Sequence, residues 1–354
     1  MSSNNTKIRI TLNSFSTIKG ICVICAILVH VVYRYPVEDL IFPIRLIYGL
    51  MPIAAGAMPM FFIIGGYGFK EKTIKKVFKV SAQSLLKPYL VVMLLFVSLY
   101  PFTFRLWYGE WAYGLIETRR YLIAFLLGIA KPGKEILGYQ VYHCTAMWFF
   151  LAFFVATNLL NAILKVKNQT VQLLVVILLA ITGYELLIHD INYYCIGQGL
   201  MATGYFYAGY MMKKYDLLSK CMSKRWIQIM LLAAAVAITA VCDFDLAQGQ
   251  FKYGLVDYVV SYFAGVFLMC IGLYLQRFNG KVIDWFEKLG LYTYWVICIH
   301  AIENDAMQWW AYKNHVSNIN VAFVGEFTLK LLIISVACYV LKRITLYKYS
   351  KAKR

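Results

Sequence analysis

Two histidines, a lysine and a glutamate stand within apolar stretches, where an ionisable side chain is expensive and so needs a reason. In STIKGICVICAILVHVVYRYP, Lys19 and His30 share one helical face. Eleven steps of about 100° return to within roughly 20° of the starting direction, roughly 16 Å further along the axis. That face carries a cation at one end and, at the other, an imidazole able to accept a proton from a hydroxyl. The bland reading is a lysine snorkelling to the headgroups and a histidine satisfied by a neighbouring helix. In GLYTYWVICIHAIEND, His300 and Glu303 are three residues apart and adjacent on a helix. They form either an acid/base pair or a structural contact. Two histidines on separate spans are too few for a metal centre, and none is expected.

A second group is basic. On a continuous helix Lys76, Lys79 and Lys87 fall within an arc of roughly 80°, a stripe suited to phosphates and also what an inner membrane boundary requires. In GAMPMFFIIGGYGF, Pro59 and the Gly65–Gly66 pair thin a span beside Tyr67, permitting close approach by a neighbour or a ligand.

These residues need a membrane-embedded frame. The 354 residues are 61% hydrophobic and 15% charged, too little polar surface to coat a soluble globule. The 35 Lys+Arg against 17 Asp+Glu lie in short clusters between apolar runs, the positive-inside pattern rather than a nucleic-acid surface. Of the nine cysteines, Cys22, Cys25, Cys270, Cys298 and Cys338 sit in apolar runs, so no disulfide framework is implied and the Cys22/Cys25 spacing reads as packing. The first residues lack a cleavable signal, and the first apolar run is expected to act as a retained anchor.

Runs of about 20 apolar residues predict about ten spans, near 17–34, 44–68, 84–103, 146–164, 170–188, 193–212, 226–242, 254–276, 290–302 and 321–341. Basic turns around Lys70–Lys79, Lys165/Lys167, Lys213–Arg225 and Arg277–Lys288 alternate with acidic ones at Glu38/Asp39, His189/Asp190, Asp243/Asp245 and Glu303/Asp305. The alternation predicts cytoplasmic N and C termini, with a basic cytoplasmic tail at 342–354. Residues 104–145 are expected to form one outer region holding a short re-entrant or interfacial helix near 119–130. The whole is an all-α polytopic bundle, one domain over 1–354.

Taken together, Lys19-Gly20-(x9)-His30, PMFFIIGGYGF, LLKPYL, MWFFLAFF and LGLYTYWVICIH resemble the integral-membrane acyltransferase-three family in order and spacing, over about residues 16–303. The resemblance implies ten helices and transfer of an acyl group, usually acetyl from acetyl-CoA, to hydroxyls of envelope glycans and similar acceptors. The family's basic-x10-His element maps onto Lys19 and His30, its SGY-like turn onto Gly65, Gly66 and Tyr67, and its WFL-like element onto Trp148, Phe149 and Phe150. Ser16 replaces a common acidic residue, and the family's paired arginines fall near Ser81 and Ser84, leaving Lys76, Lys79 and Lys87 to supply charge. The expectation is an inner-membrane O-acetyltransferase with no permanently bound cofactor and an acyl-CoA donor. His30 would be the catalytic base assisted by Lys19, and Tyr67, Trp148, His300, Glu303 and the three lysines would contact substrates. Acyl-CoA, a glycan and membrane lipid are the expected partners. A transporter or flippase using a Lys/His/Glu path, or a non-catalytic scaffold, is the alternative.

Overall fold

The chain's computed structural model describes residues 10–46, 51–136, 138–242 and 244–352. Asp243 of the acidic turns, and Lys353 and Arg354 of the basic tail, lie outside them. Sixteen α-helices run through the described residues: α1 (Ser16–Val32), α2 (Phe42–Arg45), α3 (Met51–Tyr67), α4 (Ile74–Ser81), α5 (Lys87–Tyr108), α6 (Trp111–Leu127), α7 (Trp148–Ile163), α8 (Gln169–Ile188), α9 (Ile196–Lys214), α10 (Leu217–Ser223), α11 (Arg225–Ala240), α12 (Leu255–Leu275), α13 (Lys281–Leu291), α14 (Thr293–Ala306), α15 (Trp309–His315) and α16 (Ile319–Ala352). Two short hairpins, Glu135–Ile136 with Tyr139–Gln140 and Phe244–Asp245 with Gln250–Phe251, are the β-structure among the described residues.

Six helical segments of the described chain are long and apolar enough to cross a bilayer: Leu12–Val32, Ile74–Tyr108, Thr145–Ile163, Gln169–Ile188, Leu255–Leu275 and Ile319–Leu341. A seventh arises if Leu217–Ser223 and Arg225–Ile238, bent by 100°, form one broken span. The other expected spans fall short in different ways. The run at 44–68 holds α3, Met51–Tyr67, and its residues 47–50 lie outside the described residues. The run at 193–212 is α9, which buries Gly197, Gln198, Gly199 and Thr203 against protein neighbours and so need not be apolar all round. The run at 290–302 straddles a break at Tyr292, which ends α13 and begins α14. The helix placed near 119–130 begins earlier, at Trp111. It packs along α5 and stops at Gly128 in the left-handed conformation, with φ 59°.

Glycines set the closest helix contacts. A Cβ at Gly66 of α3 would lie 1.9 Å from the Phe206 carbonyl oxygen of α9, and one at Gly209 would lie 2.0 Å from that of Ile63. The same device joins α1 to α13, where Cβ atoms at Gly20 and Gly290 would meet the carbonyl oxygens of Phe286 and Ser16 at 2.1 and 1.7 Å. Phe62, fully buried, lies among the rings of Trp148, Phe149, Phe153, Tyr205 and Phe206 and ties α3 to α7 and α9.

One irregularity re-aims a predicted face. Between α4 and α5 the chain makes a π-helical turn at Ala82–Leu86. Such a turn holds an extra residue and rotates the succeeding helix by roughly a quarter turn, which takes Lys87 off the line through Lys76 and Lys79.

Gly66→Val should separate α3 from α9 and cost roughly 1–3 kcal/mol or more by overpacking. Gly280→Ala, whose Cβ meets nothing within 4 Å, should lower the melting temperature much less, by no more than the change of one helix N-cap. Thermal unfolding of purified protein in detergent measures both, and equal melting temperatures would contradict this packing.

Candidate active site

Three pairs of residues, each about one helical turn apart, converge on one cluster that is buried but for His30: His30 and Arg34 at the end of α1, His300 and Glu303 on α14, and Glu326 and Lys330 on α16. Spacings of three and four residues put each pair on a single face, so three helix faces meeting suffice to assemble the group. Arg34 contacts Glu326 at 2.8 Å, and its other terminal nitrogen donates to the backbone and side-chain oxygens of Asn304 at 2.9 and 3.1 Å. Tyr35 donates its hydroxyl to the second oxygen of Glu326 at 3.1 Å. Lys330 lies 2.9 Å from Glu303, 3.8 Å from Glu326 and 3.1 Å from Asn304 Oδ1. The Trp309 indole N–H, brought in by α15, donates to the Glu303 backbone oxygen at 2.7 Å and to its carboxylate at 3.0 Å.

Two cations, Arg34 and Lys330, thus face two carboxylates, Glu303 and Glu326, with all four residues buried. Burying ions from water is costly, and the cost is offset only where partners and hydrogen bonds are nearly complete, as they are here.

The cluster ends on the two imidazoles. Glu303 Oε1 accepts a hydrogen bond from His300 Nδ1 at 2.6 Å. A proton committed to Nδ1 leaves Nε2 as the lone-pair nitrogen of the ring, and His300 Nε2 is buried with no hydrogen-bond partner. The His30 ring lies 5.0 Å from that of His300, centroid to centroid. Unlike His300, His30 has accessible surface although it sits deep among protein atoms, so it lines an internal opening while His300 stands behind it.

A cavity of about 310 Å³ opens nearer the other end of these helices, lined by Gly65, Gly68, Phe69, Lys70, Lys72, Val77, Val80, Ser81, Ser84, Leu85, Phe153, Thr157 and Phe206. Ser81 takes a hydrogen bond from the Asn158 amide at 3.0 Å, and the Ser84 carbonyl in the π turn accepts the Tyr294 hydroxyl at 3.0 Å. Tyr294 and His300 are six residues apart on α14, so one helix bridges cavity and histidines over about 9 Å of axis.

Of the residues singled out by the sequence, His30, His300 and Glu303 come together. Lys19 is half-buried on α1, about 16 Å of helix from His30. Lys76, Lys79 and Lys87 are exposed and are not among the lining residues of the cavity; Lys70 and Lys72 are. Tyr67 is buried with its ring edge-on to Phe15, and Trp148 is buried against Phe62 and Phe149. Sequence reasoning missed Arg34, Glu326 and Lys330. The signal was present in VAFVGEFTLKLLIISVACYVL, where opposite charges four residues apart sit inside an apolar run.

The sequence matches the acyltransferase-three family model, described as an acyltransferase domain, over residues 12–343. No curated protein and no solved structure matches the chain.

Removing one member of a buried ion pair strands the other, at a cost of roughly 3–5 kcal/mol. Lys330→Met should therefore unfold the protein at markedly lower temperature, and adding Glu303→Gln should restore part of the loss by removing the stranded negative charge while leaving the Arg34–Glu326 pair intact. A double-mutant cycle on melting temperature checks this, and purely additive penalties would show that the charges do not act as a unit.

Proposed function

The chain belongs to the acyltransferase-three family, and we propose that it is an O-acyltransferase moving acetyl from acetyl-CoA to a hydroxyl of a sugar or envelope glycan. The observation that carries this reading is the pair of imidazoles: an accessible His30 backed by His300, whose Nδ1 is engaged by Glu303. The carboxylate of Glu303 fixes the tautomer and orientation of His300, and the His300 ring in turn packs against His30, the imidazole that is left open to an acceptor. The enzyme would lie in the inner membrane with its N and C termini in the cytoplasm, so that the Lys70 cavity meets the cytoplasmic donor.

In this reading the donor's phosphates lie at the cavity mouth against Lys70 and Lys72, within the field of the exposed Lys76, Lys79 and Lys87. Ser81 and Ser84, at the places of the family's paired arginines, widen the cavity rather than charge it. The thioester arm runs along α14 toward His300. His30 accepts the proton of the acceptor hydroxyl as its oxygen attacks the thioester carbonyl; the new C–O bond forms, the C–S bond breaks, and the proton leaves with the CoA thiol. His300 and Glu303 hold His30 in register, and Lys330 and the Trp309 N–H keep Glu303 in place as the anion. Lys19, on the same face of α1, lies along the donor's path.

His30→Gln keeps similar size and hydrogen-bonding capacity, so insertion should survive while turnover per mole of folded protein falls by about 10²–10⁴-fold, the usual loss of a positioned base. Lys19→Gln should act more on donor affinity. Near-wild-type turnover in correctly inserted His30→Gln would remove His30 from the mechanism.

Donor binding separates the lysines. Lys70→Gln with Lys72→Gln should raise the KM for acetyl-CoA strongly, since each charge-assisted contact is worth roughly 1.5–3 kcal/mol. Combined Lys76→Gln, Lys79→Gln and Lys87→Gln should raise it less. The opposite ranking in steady-state kinetics would move the phosphates to the outer stripe.

A further inference from the structure

A second group of polar side chains, unused by the proposed reaction, adjoins the histidines on the side away from the Lys70 cavity. Glu117 on α6 is 3% exposed and forms an ion pair with Arg120 at 3.1 Å. Tyr142, from the segment before α7, donates its hydroxyl to the other oxygen of Glu117 and stacks on Tyr121 with centroids 4.4 Å apart. One residue on, His143 Nε2 lies 4.0 Å from Asp305 Oδ1 of α14, and His143 is near enough to His30 for their charges to interact. Asp305 shares α14 with His300, so the group neighbours the imidazole pair.

Two buried polar atoms beside it are left without a full hydrogen bond. Thr145 Oγ1 and Gln308 Nε2 belong to residues 4% and 9% exposed, and among the described residues neither has a partner in full hydrogen-bond geometry, the nearest to the Gln308 amide being the Tyr100 hydroxyl. Buried polar atoms are nearly always paired, so two such atoms next to a reactive centre point to something that binds there. Both residues are held at positive φ, 49° and 57°, a conformation that non-glycine residues adopt at a cost and that clusters at functional sites. Burial and the neighbouring carboxylate push the Tyr142 phenol up to about 12, so it remains a neutral donor at physiological pH.

We infer that this group is the acceptor subsite and that it takes an uncharged sugar. Neutral polar groups on two segments of chain, Tyr142 and Thr145 before α7 and Gln308 before α15, suit adjacent hydroxyls. Of the fixed charges, the carboxylates of Glu117 and Asp305 outnumber the single guanidinium of Arg120, so a uronic acid or phosphate-bearing sugar is repelled. Calling the sugar an acceptor rests on the acyltransferase reading; the binding itself does not.

Saturation-transfer NMR on the full chain in nanodiscs tests it, with methyl glucoside and methyl glucuronide as probes. The glucoside should receive saturation and the glucuronide at least about fivefold less, a difference of roughly one lost polar contact or more. Gln308→Leu and Tyr142→Phe should each lower the glucoside signal several-fold in protein that elutes as wild type; Tyr142→Phe deletes one oxygen and serves where the other variant misfolds. Equal signals from the two probes, no signal with wild type, or unchanged signals in both variants would overturn the inference. A wild-type protein that binds the glucoside yet never cleaves acetyl-CoA would leave this subsite standing and defeat the acyltransferase reading instead.

Discussion

Four buried charges on three segments of chain govern the His30 end of the bundle. Arg34, Glu303, Glu326 and Lys330 are each 8% exposed or less, and no one of them is tolerable without the others. Their mutual satisfaction fixes how α14 and α16 sit against the end of α1. That docking then places His30 against His300, so the electrostatics of the frame and the geometry of the site are one constraint. Asn304 and Trp309 add further hydrogen bonds to Arg34, Lys330 and Glu303, which leaves Glu303 oriented toward His300 rather than free to turn.

The opposite side of the site depends on backbone contact. Gly20 and Gly290 let α1 and α13 touch, and the break at Tyr292 then turns the chain into α14 from a point fixed against α1. The π turn contributes in a complementary way. It presents the Ser84 carbonyl to Tyr294, anchoring the first turn of α14 to the cavity wall while the later turns carry His300 and Glu303. One helix is thus tied at both ends, to the cavity near Ser84 and to the charge cluster near Lys330, and that rigidity suits a route for an extended thioester.

Much of this arrangement is legible in the sequence, for definable reasons. Lys19 and His30 declare their common face because helical periodicity is local, and His300 with Glu303 do so by a three-residue spacing. Glu326 and Lys330 carry an equally plain local signal, an opposite-charge pair inside an apolar run. What no local pattern contains is their partner, since Arg34 and Glu326 are 292 residues apart in sequence. The alignment of Lys87 with Lys76 and Lys79 is altered for another reason: the π turn between them shifts helical phase, and a continuous 100° step cannot register it. By contrast α9, a 19-residue helix, is legible as the run at 193–212, although its glycines and Gln198 keep it from being apolar all round because protein rather than lipid surrounds it. The helix from Trp111 reads as starting late because only its C-terminal half is apolar enough to show by hydropathy.

The central claim is that a donor held at the Lys70 cavity reaches the imidazole pair along α14. Cryo-electron microscopy of the chain with a non-hydrolysable thioether analogue of acetyl-CoA tests it most directly. The expected result is phosphates at Lys70 and Lys72, an extended arm passing Tyr294, and the sulfur-bearing end beside His30. Density for the analogue on any other face of the bundle, or an arm ending away from His30 and His300, would contradict it.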